Sequence, residues 1–259
     1  MSTHRTVLGD CLIIPSLVPK LYPQFDVVVT DPPYHTQSTR RDSKGSSYED
    51  KWRSLGAYVE YMKDRAAVVW AALKPGGCLF WMCDPNNGSH ALKVGLDSVF
   101  GEKNFRREIV WRIGWISGYK TKGFIPRNHD TILFYSKGKP AAFTPLRGWS
   151  SKGHLSKWYP KHKTSIVDDV WLDIDSLGIK SFVRTDYPSQ KPVELFKRCL
   201  QFSGGSGAWA LDPFAGSGTL AIAANQLGLS SVSIDISLEA IRCCHRRFAR
   251  ENIPTARRL

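Results

Sequence analysis

Phe25-Asp26-Val27-Val28-Val29-Thr30-Asp31-Pro32-Pro33-Tyr34 decides how the chain is read. Its first six residues are the apolar, β-branched run expected of a strand buried on both faces. Two successive prolines follow, and neither has an N–H to give a ladder. The chain therefore leaves the sheet at Asp31 with stiff backbone geometry. An acid, a carbonyl between two prolines and an aromatic ring are presented at the carboxyl end of a buried strand. Open α/β sheets bind their ligands there.

Outward from this corner, strand and helix patterns alternate. Thr6-Val7-Leu8 predicts a short strand ending at Gly9-Asp10, and Cys11 to Leu21 a short helix broken by prolines. His35 to Lys51 is polar and Ser-rich, carries Arg40, Arg41 and Lys44, and shows no apolar period. It is read as a loop beside the site. Tyr58, Tyr61, Met62, Ala66, Val69, Trp70 and Leu73 recur at helical spacing, and Lys74-Pro75-Gly76-Gly77 ends that helix. Cys78 to Cys83 is a second buried strand, His90 to Phe100 a helix, and Arg106 to Ile113 and Asp130 to Tyr135 a strand pair. Pro188 to Phe202 and Leu220 to Leu227 are helical, with Ala208 to Leu211 and Ser231 to Ile234 as strands and Leu238 to Glu251 as a basic final helix.

The 259 residues carry 36 Lys plus Arg against 23 Asp plus Glu, a formal charge of +13. That balance favours a polyanionic partner, nucleic acid before membrane. No apolar run is long enough to span a bilayer, and the start lacks the apolar core of a signal peptide, so an intracellular protein is expected. None of the six cysteines forms a CxxC pair, and no His lies at zinc-like spacing from them. They are read as reduced core thiols, with no metal site.

The positive charge is unevenly placed. From Thr131 to Val167 there is no acidic residue, while Lys137, Lys139, Arg147, Lys152, Lys157, Lys161 and Lys163 recur, interleaved with Phe143, Trp149, Trp158 and Tyr159. Cations suit phosphate contacts and aromatics suit base stacking. The stretch is read as an irregular, nucleic-acid-contacting insertion.

A second strand-end motif lies far along the chain, Asp212-Pro213-Phe214-Ala215-Gly216-Ser217-Gly218-Thr219. Strand, glycine-rich turn, then helix lets backbone approach a ligand closely at a helix N-terminus. It is neither the GxGxxG fingerprint nor a P-loop. The next strand ends in Asp235, placed to accept hydrogen bonds from both hydroxyls of a ribose. Loop and acid together predict an adenosine-type cofactor.

With these motifs in order, the chain resembles the S-adenosylmethionine-dependent DNA amino-methyltransferases of the N6-adenine/N4-cytosine family. Asp212 to Thr219 looks like their cofactor motif, Asp31-Pro32-Pro33-Tyr34 like their catalytic motif, and Tyr187-Pro188-Ser189-Gln190-Lys191-Pro192 like their His-Pro-Thr-Gln-Lys-Pro segment. Gly9-Asp10-Cys11-Leu12, Lys74 to Gly77 and Asn128-His129-Asp130-Thr131-Ile132-Leu133 also match, so the likeness runs from about Val7 to Arg247. The catalytic motif precedes the cofactor motif, as in the permuted β class. Tyr187 and Ser189 depart from the usual His and Thr, and Ser stands near Ser230-Ser231 where an Arg is common.

The resemblance implies a Rossmann-like α/β fold: a mostly parallel seven-stranded sheet with one antiparallel strand and helices on both faces. It implies one domain over 1–259, with a catalytic half to about 136, a target-recognition insertion over about 137–184 and a cofactor half over 185–259. The expected catalytic residues are Asp31, Pro32, Pro33 and Tyr34. S-adenosylmethionine is expected at Asp10, Lys191, Asp212, Pro213, Phe214, Ala215, Gly216, Ser217, Gly218, Thr219 and Asp235. Within that set Asp10 would meet the adenine amino edge and Lys191 would lie near the cofactor carboxylate. DNA is expected at Arg40, Arg41, Lys44, Arg147, Trp149, Lys152, Lys157, Trp158, Lys161 and Lys163. Adenine N6 is the favoured target. Cytosine N4 and an inactive nucleic-acid-binding subunit stay open, as does a homodimer. A prokaryotic or phage protein acting in the cytoplasm is implied.

Overall fold

The computed structural model describes residues 2–18, 24–41, 47–114, 125–140, 143–148, 165–177, and 185–253 except 186, 189, 204 and 206. The chain opens with β1 (His4–Leu8), a 3₁₀ turn, α1 (Ile14–Leu17) and β2 (Phe25–Thr30). A hairpin of β3 (Ser38–Arg41) and β4 (Ser47–Asp50) leads to α2 (Leu55–Ala72), β5 (Leu73–Cys83) and α3 (Ser89–Phe100). Next come β6 (Phe105–Arg112), β7 (His129–Ser136), and the two-residue strands β8 (Arg147–Gly148), β9 (Ser165–Ile166) and β10 (Val170–Trp171). The last part holds α4 (Val193–Ser203), β11 (Trp209–Asp212), α5 (Thr219–Gln226), β12 (Ser230–Asp235) and α6 (Leu238–Arg250).

The main sheet runs β1-β12-β11-β2-β5-β7-β6-β10. Only β7 opposes its neighbours, pairing antiparallel with both β5 and β6. The sheet has eight strands where seven were expected. The extra one is β10, which pairs parallel with the edge of β6 at Val170↔Val110 and Trp171↔Trp111 and is too short to leave a periodic signal.

Val27, Val28 and Val29 are fully buried because both faces of β2 are covered. On one face Val28 packs in a cluster with Tyr58, Met62 and Val69 of α2 and Leu92 and Leu96 of α3. On the other, Val27 and Val29 join Leu195, Phe196 and Leu200 of α4 and Leu220 of α5. Each such aliphatic side chain contributes roughly 1.5–3 kcal/mol on burial. The Ser54 hydroxyl caps α2 by accepting from Ala57 N–H at 3.1 Å.

Two stretches differ from expectation. Lys74 to Gly77 ends α2 but also belongs to β5, as a bulge between the pairs Phe25↔Leu73 and Val27↔Cys78. Gly76 takes φ +79°, and a Cβ on Gly77 would lie 2.9 Å from Lys74 O, so both positions require glycine. The polar segment read as a loop contains the β3–β4 hairpin, paired antiparallel from Ser38↔Asp50 to Arg41↔Ser47. Its residues, Ser38-Thr39-Arg40-Arg41 and Ser47-Tyr48-Glu49-Asp50, are mostly polar, so no apolar alternation marks the strands.

Chain direction fixes where a site can form. From β2 the path goes through α2 to β5 on one side, and from β11 through α5 to β12 on the other. β2 and β11 are parallel neighbours, paired at Ala210↔Val27 and Leu211↔Val28. The sheet order reverses between them, and the crevice beyond their carboxyl ends is the topological switch point. Among the described residues no helix is long and apolar enough to cross a membrane, and no group of His, Cys, Asp and Glu could hold a metal ion. The six cysteines are free and buried.

Candidate active site

A cavity of about 340 Å³ opens at this switch point. It brings together Asp10, Asp31, Pro33, Lys191, Asp212, Pro213, Phe214, Ala215, Gly216, Ser217, Thr219 and Asp235 from the residues singled out in the sequence. Pro32, Tyr34 and Gly218 are not among its lining residues. The sequence did not single out Trp52, Tyr61 and Arg65, or Ile236 and Ser237 beyond β12, which also line it.

Asp31 directly follows β2, with its side chain 17% exposed. Burial raises its pKa, while the Lys191 ammonium at 3.0 Å and the Tyr34 hydroxyl, which donates to it, pull the other way. Lys191 also donates to the Tyr34 oxygen at 2.8 Å, and its ammonium sits 4.6 Å from the Tyr34 ring centroid. Tyr34, expected among the catalytic residues, thus has its hydroxyl engaged by Asp31 and Lys191. The Pro33 carbonyl accepts from Tyr58 of α2 at 3.0 Å, which fixes the corner to the helix behind it.

A residue absent from the sequence reading, Asp50, holds the next part of the motif. Its carboxylate accepts from the N–H groups of Tyr34 (3.2 Å), His35 (2.8 Å) and Thr36 (2.9 Å), the Thr36 hydroxyl (2.7 Å) and Trp52 Nε1 (2.9 Å). Burial alone would raise its pKa, but these bonds outweigh burial and hold it below the usual carboxylate value. They also offset left-handed backbone at His35 (φ +60°), which costs roughly 1–2 kcal/mol at a non-glycine residue.

The β11 exit is built from glycine and neutral donors. Asp212 accepts from the Thr30 hydroxyl at 2.9 Å and the Phe214 N–H at 3.1 Å, and burial pushes its pKa up to about 8. Gly216 (φ +49°) and Gly218 (φ +76°) turn the loop, and a Cβ on Gly218 would lie 2.9 Å from Cys244 Sγ. Asp235 accepts from Gly216 N–H and Ser237 N–H, each at 2.8 Å, and burial raises its pKa too. Each of its oxygens keeps a lone pair for a further donor. Arg247 of α6, 3% exposed, donates to Thr219 Oγ1 at 3.0 Å and Ser217 O at 3.3 Å from beneath the loop. Asp10 caps the 3₁₀ turn through Leu12 N–H at 3.1 Å and pairs with Arg65.

A cationic ligand suits this chemistry. Asp31, Asp212 and Asp235 all border one cavity and are all raised by burial, so a cation placed there would lower the cost of ionising them. The expected DNA contacts are less gathered. Arg40 and Arg41 lie on β3, and Arg147 is exposed on β8, which pairs antiparallel with β9. Lys44, Trp149, Lys152, Lys157, Trp158, Lys161 and Lys163 lie outside the described residues.

Comparison with known proteins agrees with this architecture. The chain is 29% identical over 234 residues to the Type II methyltransferase M.HpaI of Haemophilus parainfluenzae, covering 87% of this chain and 68% of that protein. It superposes on the M1.HpyAVI complex with SAM with a TM-score of 0.66 at 18% identity, covering 95% and 99% of the two chains. It superposes on the cytosine-N4-specific PvuII DNA methyltransferase with a TM-score of 0.69 at 16% identity, covering 96% and 87%. The sequence profile of the DNA methylase family N6_N4_Mtase matches residues 25–246. The chain belongs to that family and is a DNA methyltransferase of the N6/N4 type.

Proposed function

We propose that the chain methylates the exocyclic N6 amine of adenine in DNA, with S-adenosylmethionine as methyl donor and the target base flipped from the stack. One observation carries this reading. The buried Asp31 carboxylate and the glycine-rich Asp212 loop, from neighbouring parallel strands, open into one cavity. The whole chain would act as one domain, in the permuted motif order, with recognition by the insertion over about 137–184. Its setting would be the cytoplasm of a prokaryotic or phage-infected cell.

S-adenosylmethionine brings a sulfonium and an ammonium cation, a ribose diol and an adenine, and the residues present match each. Asp212, Phe214, Gly216 and Ser217 would surround its methionine part, Asp235 would accept from the ribose hydroxyls, and Asp10 would face the adenine amino edge. Pro213, Ala215, Gly218 and Thr219 give the loop its shape. When bound, the cofactor supplies an electrophilic methyl group.

An exocyclic amine is a poor nucleophile because its lone pair is delocalised into the ring. The Asp31 carboxylate and the Pro32 carbonyl would each accept one of its N–H bonds, drawing the nitrogen toward tetrahedral geometry and exposing the lone pair. Asp31 also stabilises the positive charge that develops on that nitrogen before it sheds one proton. The stiff proline corner fixes both acceptors before the base arrives, so orientation supplies much of the rate. Tyr34 would stack on the flipped ring for roughly 1–3 kcal/mol.

Asp at position 31 favours adenine. Digestion of DNA methylated by the purified protein, with mass analysis of the nucleosides, is expected to give N6-methyladenine. N4-methylcytosine alone would select the cytosine reading, and no methylated base despite cofactor binding would select an inactive nucleic-acid-binding subunit.

A further inference from the structure

The ammonium of Lys191 has three N–H donors, and groups of the catalytic motif and of β7 are among those around it. They are the Tyr34 oxygen at 2.8 Å, Asp31 Oδ1 at 3.0 Å and Asp130 Oδ2 at 3.4 Å. The side chain is 11% exposed, so this choice of partners is not one of many solvated options. Asp130, at the start of β7, is 4% exposed and also bonded by Arg127, which bonds the buried Asp84 beyond β5. Charge therefore alternates from Asp31 through Lys191, Asp130 and Arg127 to Asp84, across separate segments of the fold. A lysine that served only a cofactor carboxylate would not require a buried acid at its back.

We propose that Lys191 is the positioning cation of the catalytic motif, gripped from behind by Asp130 so that its ammonium faces Asp31 and Tyr34. It holds Asp31 in the acceptor state and orients the Tyr34 hydroxyl toward that carboxylate. Asp130 acts only through Lys191. This assignment rests on the methyltransferase reading above and moves Lys191 from the cofactor to the catalytic corner.

The titratable and charged groups facing Asp31 are Lys191, Tyr34, Asp130 and Asp212, with Cys83 of β5 and Tyr58 of α2 more weakly coupled. Of these Lys191 is the cation that lowers the Asp31 pKa. Removing it must raise that pKa further, so the acid limb of the activity profile must move to higher pH.

The test is single-turnover methyl transfer to DNA across pH, with calorimetric titration of S-adenosylmethionine, for Lys191→Met, Lys191→Arg, Asp130→Asn and the Lys191→Met/Asp130→Asn pair. Lys191→Met is expected to lose transfer by roughly 100-fold. Its acid limb should rise by about one pH unit or more, with cofactor Kd kept within roughly 3-fold. Lys191→Arg keeps the charge and should keep the limb. Asp130→Asn should slow transfer by roughly 10-fold alone and by nothing further in the pair. Retained cofactor binding reports that each variant is folded. A Kd that weakens in step with transfer, a limb that stays put in the methionine variant, or multiplying losses in the pair would overturn the assignment. Wild-type protein that neither binds the cofactor nor methylates DNA would instead overturn the reading beneath it.

Discussion

Two neighbouring strands of the sheet leave it through the same dipeptide and arrive at different chemistry. β2 runs out into Asp31-Pro32 and β11 into Asp212-Pro213, side by side, and the Thr30 hydroxyl bonds Asp212 across the gap. After β2 a second proline and Tyr34 keep the chain stiff, and a cation, Lys191, faces the acid. After β11 come Gly216 and Gly218 in left-handed backbone, and Asp212 accepts from a hydroxyl and an amide. Each exit is then pinned by another carboxylate: Asp50 takes the N–H groups of Tyr34, His35 and Thr36, and Asp235 that of Gly216. The strand end supplies an acid at a fixed place. The residues beyond it decide what that acid meets: a cation at Asp31, a hydroxyl and an amide at Asp212.

The sharpest way to break this comparison is Asp31→Ala. Methyl transfer is expected to fall by roughly 10³-fold or more, because an acceptor for the amine and the charge beside it are both lost. A radiolabelled-methyl assay at saturating cofactor reads this directly. Gly218→Ala attacks the other exit. It forces a side chain into φ +76° and against Cys244 Sγ, costing roughly 2–4 kcal/mol of stability, which denaturant unfolding would measure.

The pinning acids differ in the sign of their pH effect. Asp50→Asn should lose about 1–2 kcal/mol near neutrality, through weakened charge-assisted bonds. The folded pKa of Asp50 lies below its unfolded value. Its contribution is therefore present above about pH 4 and lost as pH falls through the folded value, so wild type and variant should converge in acid. Asp212 is the reverse. Its folded pKa of about 8 lies above the unfolded value, so its cost grows as pH rises from about 4 to 8. Asp212→Asn should thus raise the unfolding midpoint at pH 8.5 by at least ~2 °C and leave it unmoved near pH 3. Differential scanning calorimetry at the two pH values tests the sign.

Much of this was legible in the sequence because it is periodic or conformationally costly. The valines of β2, the two prolines after it and the glycines after β11 each announce a backbone that only certain residues tolerate. The fold class came with the family resemblance that these motifs carry. Asp50 was not legible, since an acid in a polar, Ser-rich stretch looks solvated until the turn it caps is folded against it. Asp130 sat inside a recognisable segment, but its role depends on Lys191, 61 positions later. The β3–β4 hairpin and β10 escaped for a related reason. The hairpin strands are too polar to alternate, and β10 with two residues is too short to show a period.

The division of labour between the two exits is tested most directly by titrating S-adenosylmethionine calorimetrically into Asp31→Ala and Asp212→Ala side by side. The account predicts that the Asp31 variant binds within roughly 3-fold of wild type, while the Asp212 variant loses at least ~10-fold. Equal losses in the two variants, or the larger loss at Asp31, would contradict it.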